Sequence, residues 1–198
     1  SSIFVQLVPL SPPPRLVAWS VSRETVDMGT ARLAELADCS VSSVKSEPRA
    51  NGLVLRSRLG ENAIVRGVDG DPFGGSAVMI ADGAGLVAVR LRYSAAEGRE
   101  PARYTVEYLA KRLQEILTPL CQWLEDGEIL GRCLTQTWFV RLSRTIRLER
   151  NGIFQRRATA SVPASDEITL PRAEDEVNAV AMRAASTYAR ACGLDAWG

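Results

Sequence analysis

Histidine is absent from the 198 residues. Its absence removes imidazole general bases, histidine metal ligands, and serine or cysteine triads of the usual kind. The four cysteines, Cys39, Cys121, Cys133 and Cys192, are far apart and form no C-x-x-C pair, so neither a zinc site nor a redox motif is indicated. Reduced, largely buried thiols are expected, in a cytoplasmic protein. Lysine is nearly missing: Lys45 and Lys111 stand against 22 arginines, a bias that reflects a GC-rich coding sequence and makes arginine number alone a poor guide to function. No run approaches the ~20 apolar residues of a membrane helix. The opening SSIFVQLVPLSPPP lacks the basic start and long apolar core of a signal peptide. A soluble chain with no membrane partner is expected.

What is present is an ordinary globular composition, 46% hydrophobic and 24% charged, read as a single domain over 1–198. The formal net charge is +1, so any attraction to nucleic acid must be local. Periodicity predicts strands over 3–8 and 16–21, separated by the stiff Ser11-Pro-Pro-Pro14 connector. A short helix over 27–39 follows, with Leu33 and Leu36 on one side and Asp27 as its cap. Strands over 53–59, 63–68, 76–80 and 86–93 read as an antiparallel meander, the last two joined at Asp82-Gly83. The clearest helix covers 102–124, with Val106, Leu109, Leu113, Ile116, Leu120 and Leu124 as an apolar stripe. Pro119 inside it predicts a kink or break near 117–118. A hairpin of strands 137–148 and 153–162 turns at Asn151-Gly152. A last helix over 174–192 places Val177, Val180, Ala184, Tyr188 and Ala191 on one face. The fold class is therefore α+β, a mostly antiparallel sheet of meander plus C-terminal hairpin, covered by a long central helix and a C-terminal helix.

The hairpin contains RLSRTIRLERNGIFQRR, six arginines against the single acid Glu149. A two-residue turn pairs Arg150 with Ile153, Leu148 with Gln155, Ile146 with Arg157 and Arg147 with Arg156. Alternation then puts Arg141, Arg147 and Arg156 on one face with Phe154. Directly opposed arginines repel unless an anion or carboxylate lies between them. Carboxylates of a partner or of this chain fit better than phosphates, because the chain lacks net basic charge and an aromatic platform. A second candidate is the loop VDGDPFGGS, where Asp69 and Asp71 could bind a cation and Gly74, Gly75 and Ser76 could bring amides to a phosphate. It has neither P-loop nor calcium-loop spacing and reads first as a tight turn. Trp19, Trp123 and Trp138 suit core positions, and Trp197 could anchor a docked partner.

No motif requires a cofactor or a metal. The expected function is a non-catalytic assembly or adaptor subunit of a larger complex that binds protein partners. The alternatives are a nucleic-acid-contacting subunit using the 141–157 hairpin and a histidine-free enzyme using the 69–76 loop. An oligomer or hetero-complex fits all three.

Overall fold

The computed structural model describes residues 1–11, 22–63, 74–83, 85–94, 98–155, 157–173 and 175–194. The expected strand over 16–21, the proline connector and most of the expected strand over 63–68 lie outside them.

Seven antiparallel strands form the main sheet: β1 (Ser2–Pro9), β2 (Lys45–Arg49), β3 (Gly52–Arg58), β4 (Gly74–Asp82), β5 (Val87–Ser94), β7 (Gly131–Val140) and β10 (Ser161–Leu170). Their order is β10-β7-β1-β5-β4-β3-β2. A second sheet is built from β6 (Ala102–Thr105), β8 (Ile146–Arg150) and β9 (Ile153–Phe154), in the order β6-β8-β9, with β6 and β8 parallel. The helices are α1 (Arg23–Leu36), α2 (Val106–Asp126) and α3 (Glu176–Ala191). The molecule is α+β, as its pattern of elements predicts.

Alternation along the strands sends Ile3, Val5 and Leu7 of β1, Val89 and Leu91 of β5, and Phe139 of β7 into one buried layer. All three helices lie on that side. α2 buries the whole stripe read from the sequence, Val106 through Leu124. Tyr188 of α3 packs against Phe139 with ring centroids 4.7 Å apart. Gly29 of α1 sits against Trp123 and Leu55, where a helix without a side chain can approach the sheet closely.

Local chemistry moves several boundaries. α1 starts at Arg23, not Asp27, because the Ser22 hydroxyl accepts from the Thr25 amide at 3.1 Å. Residues 102–105 are strand, and α2 begins where Thr105 caps the Tyr108 amide at 3.1 Å. α2 continues unbroken through Pro119 to Asp126, since Leu117, Leu120, Cys121, Trp123 and Leu124 are all buried around it and packing outweighs the lost bond. β2 was not anticipated, being charged and containing Pro48.

The expected continuous strand over 137–148 is interrupted. Arg141 takes a left-handed conformation (φ 49) and leads into a 3-10 turn over Leu142–Arg144. The break shifts the phase: odd residues are buried in β7, but Leu142, Ile146 and Leu148 are buried beyond it. Trp138 therefore lies on the face opposite the helices rather than in the core. It stacks on Phe4 with centroids 5.1 Å apart.

Candidate functional site

At its turn the arginine hairpin keeps the expected register. Asn151 and Gly152 have φ of 52 and 77, and Arg150 is opposite Ile153. Gln155 binds Leu148 twice, its amide to the carbonyl at 2.9 Å and its side-chain oxygen to the amide at 3.0 Å. The ladder ends there, and the Arg157 amide donates to the Cys192 carbonyl at the end of α3 instead of pairing with Ile146. Arg141 is in the turn before β8, outside the hairpin, and its carbonyl accepts from the Ser1 hydroxyl at 2.9 Å. Arg156, Trp197, Asp69 and Asp71 lie outside the described residues. Gly74, Gly75 and Ser76 open β4, where all three pair with β5 and Ser76 also pairs with Arg58 of β3.

Among the described residues, Arg147 is faced by Arg103 of β6, its partner in the parallel register. Both guanidiniums lie on the Phe154 ring, with Arg103 at 5.2 Å and Arg147 at 5.6 Å from the centroid. At a strand spacing of about 4.8 Å, two unit charges repel by about 1 kcal/mol in water and about 3 kcal/mol at an effective dielectric of 20. Each exposed cation–π contact returns about 0.5–1 kcal/mol. Both arginines are exposed, so the two effects nearly balance. Glu149, across from Phe154, forms no ion pair with either guanidinium.

The largest feature the sequence reading missed is the other face of the main sheet. The three helices take one face; among the described residues none covers the second. Following Cα partners across that face gives Lys45, Arg56, Val78, Arg90, Phe4, Trp138 and Pro163. The next row runs Arg58, Ser76, Arg92, Ser2, Val140 and Ser161. A third holds Glu47, Val54, Ile80, Ala88, Gln6 and Gln136. Phe4, Trp138, Val54, Val78 and Ile80 are half-buried. Glu47 bonds Arg56 at 3.1 Å and Arg49 at 3.0 Å, and Glu167 holds Arg132. No carboxylate among the described residues reaches Arg58, Arg90 or Arg92. Arg141 and Arg144 join this corner: burial first, then Arg92, Arg144, Arg141 and Arg90, lowers the pKa of the Ser1 ammonium. The signal was present as the alternation R-x-R in LRSR and VRLRY, where every second residue is apolar or buried.

The helical side contains a groove of about 610 Å³ between α1 and α2, lined by Arg32, Glu35, Asp38, Lys111, Arg112 and Glu115 among others. Arg112 bonds Glu115 at 2.5 Å. Its pKa is raised: burial alone would lower it, but Tyr93 and Glu115 outweigh burial. Burial raises the phenols of Tyr93 and Tyr104 and pushes the thiols of Cys121 up to about 12 and Cys133 up to about 11. These shifts disfavour thiolate and phenolate, the reverse of an activated nucleophile. Among the described residues no three histidine, cysteine or acidic side chains gather as a metal site. No described helix is long and apolar enough to cross a membrane.

Comparison of the chain with protein-family models, with curated proteins and with solved structures gives no match.

Proposed function

We propose that the chain is a non-catalytic assembly or adaptor subunit that holds an acidic protein partner against the open face of its seven-stranded sheet. The supporting observation is that no carboxylate among the described residues reaches Arg58, Arg90 or Arg92, which stand beside half-buried Phe4, Trp138, Val78 and Ile80. Interface cores favour this mixture of aromatic, aliphatic and arginine side chains with little lysine.

Size agrees with such a role. Six strand gaps of about 4.8 Å and strands of about eight residues give a face of roughly 750 Å², against about 800 Å² per partner in a standard interface. The sheet edges are poorly suited to strand addition, since β2 carries Pro48 among charged residues and β10 carries Pro163. A second copy is disfavoured, because a two-fold contact would set these arginines against themselves. Acidic side chains on a partner relieve that charge through bidentate bonds.

The test is co-purification of the tagged chain from its native cells after nuclease treatment, beside an Arg90→Glu/Arg92→Glu variant. A stoichiometric protein, retained after nuclease and lost with the variant, is expected. Nuclease-sensitive nucleic acid as the retained species, or a partner indifferent to the double reversal, contradicts the proposal.

A further inference from the structure

On the small sheet, Arg103, Arg147 and Phe154 form a cluster of two guanidiniums on one aromatic ring. The two arginines are in direct parallel register, and neither guanidinium has an ion pair or hydrogen bond to the described protein. Phe154 supplies the surface both lie on. Its position is fixed on one side by the Asn151-Gly152 turn and on the other by the two bonds from Gln155 to Leu148. Both forks thus keep their N–H donors for a ligand while the aromatic ring limits their rotamers, so little ordering remains to be done on binding.

The charge decides the ligand class. One carboxylate is matched by one guanidinium fork, whereas a phosphoryl group carries nearly two charges and three strong acceptor oxygens. Arg103 also lines an open cavity of about 560 Å³ with Glu61, Asn62, Tyr104, Thr105 and Tyr108, in which Glu61 is the one carboxylate and has an interaction of its own. Tyr104 packs edge-on against Tyr108 at 4.5 Å, and Tyr108 is 46% exposed, leaving part of its ring uncovered. We infer that Arg103 and Arg147 bind the phosphoryl group of a small phosphate monoester, whose organic part occupies the cavity beside Arg103 and Tyr108.

Titration calorimetry of the full chain at low ionic strength tests this with acetate, inorganic phosphate, ribose 5-phosphate and AMP as probes. Phosphate should bind more tightly than acetate, and the esters more tightly than phosphate. Arg103→Gln and Arg147→Gln should each weaken ester binding about tenfold or more. Both side chains are exposed, so the variants should fold as the parent does, and circular dichroism checks that they do. Arg23→Gln, on another exposed arginine, should leave binding unchanged. Tyr108→Ala should reduce the ester advantage and spare inorganic phosphate. Acetate binding as tightly as phosphate, or ester affinity untouched by both glutamine variants, overturns the inference. Esters binding no better than inorganic phosphate overturns the assignment of the cavity.

Discussion

Cys121 and Cys133 show how burial at single residues becomes a property of the whole chain. Both folded thiols titrate above their ordinary value, near 8.5, Cys121 at about 12 and Cys133 at about 11. Because the folded values are raised, the unfolded chain releases these protons first as pH rises. The stability they contribute is complete below about pH 8.5 and is lost as pH climbs toward the folded values. At pH about 10 the loss is on the order of 2 kcal/mol per thiol as an upper limit. Urea unfolding should show a midpoint that falls between neutral and alkaline pH, and falls less in a Cys121→Ala/Cys133→Ala variant. An equal fall in both proteins would mean other groups dominate. The sequence carried half of this: cysteines without partner motifs read as buried thiols, but only the depth of burial in the folded core sets how far each is shifted.

Elements were legible where local periodicity and burial agree. The stripe of α2 and the face of α3 were readable because every third or fourth residue enters one core. The interruption at Arg141 was not readable, because it depends on the phase of β7 against β1 and β10, a tertiary demand without a local mark. Arg103 as a neighbour of Arg147 was not readable either, since a parallel pairing between β6 and β8 leaves no trace in either segment alone. The seating of α1 makes a similar point at Gly29. An added methyl there would meet Trp123 Cζ2 at 2.5 Å and Leu55 Cδ1 at 2.8 Å. Trp123 cannot easily retreat, because its indole nitrogen donates to the Thr25 carbonyl at 3.2 Å. Helix propensity favours alanine by about 1 kcal/mol, while overpacking costs about 1–3 kcal/mol. Gly29→Ala should therefore lower the free energy of unfolding despite better intrinsic helix formation. A more stable variant would show that α1 is not pressed against Trp123.

Across the whole molecule, the near-neutral charge hides a division between two sheet faces, one packed against three helices and one bearing, around Phe4 and Trp138, arginines of which Arg58, Arg90 and Arg92 meet no carboxylate among the described residues. Composition could not show this, because it depends on which strands lie side by side: Arg56, Arg90 and Trp138 are remote in sequence and meet along one row only when β1 is inserted between β5 and β7. Val78 sits in the middle of that row, between Arg56 and Arg90, and Lys111 lines the groove on the helical side. Photo-crosslinking from these two positions tests the central claim most directly. A benzoylphenylalanine placed at Val78 should capture a protein partner in native cells, at a yield that drops when Arg90→Glu/Arg92→Glu is added, while the same group at Lys111 captures little. Efficient capture from Lys111 with none from Val78 would place the partner on the helical side and contradict the account.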